Sequence, residues 1–283
     1  MEQYSFVNDS FVPAGQASLL VSDLAIQRGY GVFDFFKTLN GSAVYLDEHL
    51  DRLFFSADRM RLDVGMNREE LKAVIAELME RNKIPDSGIR IMLTGGYSAD
   101  GYSLARPNLA ITQQPLAMPI AADLNRSIQL MTYSHQRQLP EIKTIDYLMA
   151  IWLQPLLREK GVDDVLYHRN GVLAECPRSN FFLVTAAGTL VTPGTNVLKG
   201  ITRMKVLEVA KGQFAVEERD VLLDELRSAK EAFITSTTKH VLPVTVIDGL
   251  PIGNGTIGPM ARQLSAALYS LAAPTAPRAN GFI

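Results

Sequence analysis

Between Gln114 and Asn125 the chain reads QPLAMPIAADLN, and the two prolines there interrupt a sequence that is periodic on either side. A chain divided in this way has to bury two apolar cores, and its 283 residues exceed what one core usually holds. The expected organisation is a small N-terminal domain over 1–114, a linker over 115–126 and a larger domain over 127–283. Hydrophobic residues make up 47% of the chain and charged residues 20%, so neither part reads as disordered or fibrous.

The same composition narrows the function classes. A net charge of −2 without a run of Lys or Arg offers no track for a phosphate backbone, which argues against nucleic acid as a partner. Cys176 is the only cysteine, so no internal disulfide can form and a reducing compartment fits. No apolar run reaches membrane-spanning length, and the N-terminus, MEQYSFVNDS, has no basic segment followed by an apolar one. The expectation is a cytoplasmic protein that has no membrane partner.

Local patterns mix strands and helices, as in an α/β (α+β) protein. Phe6, 41–45 and 89–94 read as strands or hairpins, with Asn40-Gly41 as a turn. Leu50, Leu53, Phe54, Ala57 and Met60 recur at helical spacing from about Asp47. A second helix begins where Asn67 can cap it and Glu70 can reach back, burying Leu71, Val74, Ile75, Leu78 and Met79. Ile89, Ile91 and Leu93 share one strand face, which puts Arg90 and Met92 on the other. After the linker, a strand over 128–133 precedes a helix predicted over 145–157. VLYHRNGVLAE and NFFLVTAAGTLVT read as hairpins, the first with Asn170-Gly171 at its tip. A helix follows Gly200 with Val206, Leu207 and Ala210 on its apolar side, and EAFITSTTKHVLPVTVIDG predicts two strands around a loop at 237–240. A last helix is predicted over 259–271, and the Pro- and Ala-rich end, 273–283, reads as a loosely held tail.

Several polar residues stand in settings that suit chemistry, and each also has a plain structural explanation. Lys143, in LPEIKTIDYLMAIWL, directly precedes an apolar helix; the alternative is a solvated or dipole-capping lysine. Glu175 closes the strand after the Asn170-Gly171 hairpin, where it could equally serve loop amides. Gly200-Ile201-Thr202-Arg203 opens a helix after a Gly- and Pro-containing turn, and free backbone N–H groups at a helix start attract anions unless they cap themselves. The hydroxyls of Thr237 and Thr238 could reach a phosphate or bond locally. Arg52 lies among apolar residues of the first long helix, where a surface ion pair is the alternative.

Taken in order, EHLDRL, IKTIDYL, AECPRSNFFLV, LKGITR and TSTTKHVLPVTVIDG resemble the class IV aminotransferases, which comprise D-amino-acid transaminases, branched-chain transaminases and aminodeoxychorismate lyases. The resemblance runs from about Phe6 to Ala272 and rests on five ordered blocks. It implies the fold-type IV architecture: a small N-terminal α/β domain, a larger β-rich C-terminal domain, pyridoxal 5′-phosphate in the cleft between them, and a homodimer whose second copy completes the pocket. It further implies that Lys143 holds the cofactor as a Schiff base and that Glu175 partners the pyridine nitrogen. Arg52, the backbone at Ile201 and Thr202, and the hydroxyl of Thr237 would cup the phosphate, with Leu198 against the ring. Asn180, Gly200 and Ser236 fall in the same blocks and are expected at the cofactor.

Amino acids and 2-oxo acids are the substrates this resemblance implies, and an α-carboxylate is usually held by an arginine fork. Arg28 lies in AIQRGYGVFDFFK, a loop entering a strand that in the resembling family reaches the site near or across the dimer interface. Arg90 projects from its strand opposite the apolar face, and a buried guanidinium there would need an anionic partner. For both, a structural salt bridge is the alternative to a substrate role. Phe33, Tyr147 and Thr238 are expected to line the pocket.

Within the family, Ser236-Thr237-Thr238 is closer to the D-amino-acid enzymes than to the Gly-Thr-Ala run common in branched-chain ones. The loop GGYSADGYSLARP lacks the Arg-x-His pair with which many D-amino-acid transaminases trap a carboxylate. Asp100-Gly101-Tyr102-Ser103 keeps the shape of a lyase Arg-Gly-Tyr-Ser stretch but reverses its charge. Lys239 and His240 replace the small residue and glutamate often found there. The expected activity is D-amino-acid transamination; the alternatives are a branched-chain L-amino-acid transaminase and an aminodeoxychorismate lyase.

Overall fold

Two sheets form on either side of the proline-interrupted stretch in the computed structural model, which describes residues 2–117 and 126–272. The first sheet comprises β1 (Tyr4–Val7), β2 (Ser10–Pro13), β3 (Gly31–Leu39), β4 (Ser42–Ala43), β5 (Ser87–Thr94) and β6 (Leu109–Pro115), in the order β2-β1-β6-β5-β3-β4. Its helices are α1 (Leu24–Arg28), α2 (Leu46–Arg59) and α3 (Arg68–Asn82). Leu50 and Leu53 of α2 and Leu71, Ile75 and Leu78 of α3 are buried with Val32, Phe36, Ile89 and Ile91 in one cluster. Each such side chain contributes about 1.5–3 kcal/mol on leaving water. The expected cap of α3 is present: Asn67 accepts from the N–H groups of Glu69 and Glu70, and Glu70 accepts from the N–H of Asn67.

Register decides what each face of this sheet carries. Phe33 pairs with Met92 and Phe35 with Arg90, so these four share a face, while Val32, Asp34 and Phe36 point the other way, toward α2. Arg90 is therefore on the face opposite the core, as expected, but it is exposed, and the requirement of a buried guanidinium does not apply.

The second sheet has ten strands: β7 (Ile128–Ser134), β8 (Asp164–Arg169), β9 (Val172–Leu173), β10 (Glu175–Cys176), β11 (Ser179–Val184), β12 (Leu190–Pro193), β13 (Val216–Arg219), β14 (Glu231–Ser236), β15 (His240–Ile247) and β16 (Leu250–Pro251). Asn170 and Gly171 sit at φ 52° and 80° between β8 and β9, the left-handed pair that a two-residue hairpin turn requires. The helix predicted over 145–157 is two short ones, α4 (Leu148–Trp152) and α5 (Gln154–Lys160). Pro155 lacks the N–H needed to continue a helix from α4 and is accommodated only in the first turn of a new one. Helices α6 (Ile201–Ala210) and α7 (Pro259–Ala272) bury Val206, Ala210, Leu264 and Leu268 against Phe182 and Phe233 of the sheet. Of the expected linker, Pro115 closes β6, and 118–125 lie outside the described residues, as does the tail 273–283.

Candidate active site

The end of β3 that β4 does not reach is completed by a segment from beyond the first sheet. The N–H of Phe33 donates to the carbonyl of Lys143 (3.0 Å) and that of Ile145 to Gly31 (3.1 Å), with Thr144 opposite Val32. This short antiparallel pairing fixes Lys143 beside Phe33, and the Lys143 Nζ lies 4.5 Å from the centre of the Phe33 ring. Burial pushes the Lys143 amine down to about 7, and the neighbouring Arg52 guanidinium adds to the effect. An amine in that range is partly uncharged at neutral pH and is a competent nucleophile.

Glu175 stands on β10 in the same cleft, which encloses about 340 Å³ between the two sheets. One carboxylate oxygen accepts from Arg137 Nε (2.9 Å); the other accepts from the Leu198 N–H (3.0 Å) and Asn180 Nδ2 (3.2 Å). Burial raises its pKa, with Arg137 and the Leu198 amide opposing. Arg137 was absent from the sequence-based candidates. Its signal was available: a glutamate inside apolar strands needs a cation, and an arginine six residues before the candidate lysine was the one to examine.

Helix α6 begins after Gly200, and its first N–H groups, those of Ile201 and Thr202, have no side-chain cap; all three residues line the cleft. A Cβ at Gly200 would come within 2.1 Å of Asn180 Oδ1, which explains glycine there. Ser236, Thr237 and Thr238 line the cleft from the β14–β15 turn. The buried hydroxyls of Ser179 and Thr235 also line the cleft and have no hydrogen-bond partner among the described residues. A buried amine, a buried carboxylate, an uncapped helix start and unpaired hydroxyls form a donor set that fits pyridoxal 5′-phosphate.

Arg52 lines the cleft but gives its Nε and Nη2 to Asp34 (2.8 and 2.9 Å). Asp34 is fully buried; burial works against its charge, yet Arg52 and His49 hold its carboxyl well below the usual range. Asp34 and His49 were also missed. The acid within VFDFF and the three-residue spacing of His49 and Arg52 on α2 were the available signals.

Phe33, Arg90, Tyr147, Leu198 and Asn180 all face the cleft, so every expected site residue except Arg28 is gathered there. Arg28 is exposed at the end of α1, not in a loop, and donates to the carbonyl of Gln27. The guanidinium of Arg90 lies 4.8 Å from the Phe33 ring centre and 5.8 Å from that of Phe35. Lys239 is half-buried and pairs with the buried Asp164 (3.1 Å), while His240 contacts Lys37 of β3 across the two sheets and stacks on Tyr269.

The geometry has counterparts among known proteins. A D-alanine aminotransferase of Bacillus licheniformis is 31% identical over 269 residues, covering 93% of this chain and 95% of that one. A putative branched-chain-amino-acid aminotransferase of Methanocaldococcus jannaschii is 31% identical over 271 residues, covering 92% and 93%. The crystal structure of a T.th. branched-chain amino acid aminotransferase with pyridoxamine 5′-phosphate superposes with a TM-score of 0.88 at 26% identity, covering 96% of this chain and 95% of that one. The family model for amino-transferase class IV matches residues 31–247, from the first residue of β3 to the last of β15, and the chain that pairs Lys143 with this cleft belongs to that family.

Proposed function

We propose that the protein is a D-amino-acid transaminase that works as a homodimer, its small domain spanning 1–114 and its large domain 127–283. The cofactor is pyridoxal 5′-phosphate, which when bound supplies an aldehyde to carry the amino group and a ring to take up the electron pair left at Cα. Lys143 would attach it and would move a proton at the substrate Cα; an amine lowered to about 7 can both take and return a proton near neutral pH. Glu175, held by Arg137, would supply the negative charge for the ring nitrogen. The N–H groups of Ile201 and Thr202, the hydroxyl of Thr237, and Arg52 braced by Asp34 hold the phosphate.

The observation that carries the reading is Arg90, a cleft-lining guanidinium with no carboxylate partner among the described residues. A substrate whose Cα hydrogen must face Lys143 can exchange only its carboxylate and its side chain, and that exchange is the difference between D and L. Arg90 stands on the wall made by the first sheet, which also carries the 95–107 loop in which many D-amino-acid transaminases hold an Arg-x-His pair. A carboxylate held on that wall gives the same hand. The 31% identical D-alanine aminotransferase supports this choice, and the M. jannaschii relative keeps the branched-chain reading as the second one.

Dimer formation is supported by exposed apolar side chains at Leu20, Val21 and Ile26 beside Arg28, and at Leu148, Ile151 and Trp152 beside Tyr147. In that assembly Arg28, exposed at the end of α1, would reach the site near or across the interface. A cytoplasmic setting is supported by the single, buried Cys176. Among the described residues no helix is long and apolar enough to cross a membrane.

The test is to mix the cofactor-loaded protein with D-alanine, D-glutamate or L-leucine and follow loss of the absorbance of the lysine-bound cofactor. Loss with the D-acids is expected. Loss with L-leucine alone would transfer the protein to the branched-chain enzymes, and pyruvate release from aminodeoxychorismate to the lyases. Arg90→Ile should raise the KM for 2-oxo acids about tenfold or more, the scale of one charge-assisted hydrogen bond, with the cofactor retained. Unchanged kinetics would remove Arg90 from the carboxylate site.

A further inference from the structure

The four arginines that line the cleft fall into two sets. Arg52 is held by Asp34 and Arg137 by Glu175, each at hydrogen-bond distance. Arg90 and Arg178 line the same cleft and have no carboxylate partner among the described residues. They come from opposite walls: Arg90 from β5 of the first sheet, Arg178 from the second.

The β10–β11 hairpin fixes the Arg178 backbone. Glu175 pairs with Asn180 and Cys176 with Ser179, so Pro177 and Arg178 alone form the turn of the β10–β11 hairpin. The proline ring restricts its own φ, and the stem of the hairpin holds the candidate ring partner Glu175. The Arg178 backbone is thus tied to the hairpin that carries Glu175, and its exposed side chain lines the cleft. Burial raises the Tyr147 hydroxyl's pKa; Arg137, Arg90 and Arg178 all oppose that rise, which sets both unpaired guanidiniums about one region of the cleft.

Two unpaired guanidiniums on opposite walls match a ligand with two anionic ends. We propose that Arg178 binds the side-chain carboxylate of a dicarboxylic amino acid, and of the corresponding 2-oxo acid, while Arg90 holds the α-carboxylate. This assignment rests on the reading of the cleft as a transaminase site. Amino transfer is unaltered by it: the nitrogen passes from the amino acid to the 2-oxo acid with no net oxidation. What Arg178 adds is preference, because a planar fork fits a carboxylate bidentately and has nothing to pair with at the end of an alanine side chain.

The test uses the holoenzyme and its Arg178→Gln and Arg178→Lys variants, with kcat/KM for glutamate and for alanine measured in both enantiomers. The expected result for Arg178→Gln is a glutamate-to-alanine ratio lowered about tenfold through KM, with alanine changed less than about twofold. Arg178→Lys should recover part of the ratio, since it restores the charge without the fork. A ratio that stays constant, whether both substrates hold or both fall together, would overturn the proposal and leave Arg178 a hairpin residue. Because the ratio is read in whichever enantiomer reacts, a preference for L would overturn the assigned hand and leave Arg178 to be decided by the ratio alone.

Discussion

A carboxylate in the position of Glu175 is under opposing demands, since burial favours its neutral form while its proposed work at a ring nitrogen needs the charge. Arg137, the Leu198 amide and the Asn180 side chain resolve the conflict by supplying hydrogen bonds to both oxygens. Glu175→Gln keeps the shape but removes the charge and leaves Arg137 without its anion. A charge-assisted bond of this kind is worth about 1.5–3 kcal/mol, so kcat should fall about 10- to 100-fold. Cofactor content per chain, read by absorbance, should change less than about twofold, because the lysine and the phosphate contacts remain. Parallel loss of cofactor and rate would assign Glu175 to retention instead. At this scale Lys143, Glu175 and Arg52 were legible because each sits in an ordered block, whereas Arg137 and Asp34 were not, because their importance lies in the groups they neutralise.

Elements set the distances between these groups. The start of α6 and the β10–β11 hairpin meet at Gly200 and Asn180, where Asn180 Nδ2 is already committed to Glu175 and to the Leu198 carbonyl. Gly200→Ala would force its methyl against Asn180 Oδ1, and overpacking of this kind typically costs about 1–3 kcal/mol. The expected outcome is weaker binding of pyridoxal phosphate to apoprotein, about tenfold or more by fluorescence titration, with the secondary structure unchanged in circular dichroism. Binding equal to the parent protein would show that Asn180 yields freely. Helix and hairpin positions were well marked in the sequence by Asn67, Asn170-Gly171 and Gly200. The break between α4 and α5 was missed because apolar spacing continues through Pro155, and periodicity does not register a missing N–H.

Across the whole molecule, folding buries two amines between the sheets: burial lowers Lys143 to about 7 and Lys37 to about 8, against 10.5 for a free lysine. Between those values the unfolded chain binds more protons than the folded one, so stability must rise as pH rises through that window. The apoprotein should therefore gain thermal stability from pH 7 to pH 9, on the order of 1 kcal/mol per pH unit for each lysine fully in its window. Calorimetry of apoprotein checks this, and Lys143→Met should flatten the slope. A slope of opposite sign would mean that neither amine is desolvated by the approach of the sheets.

The linear sequence by itself determined the family, the attachment lysine, the carboxylate, the uncapped helix start and most element types, because each depends on residues close together in the chain. Only the tertiary structure decided which charges cancel and which stay free. That Asp34 answers Arg52, that Arg137 answers Glu175, and that Arg90 and Arg178 are left facing one cleft from two sheets are consequences of distance in space, and Coulomb interactions between residues far apart in sequence leave no periodic trace in it.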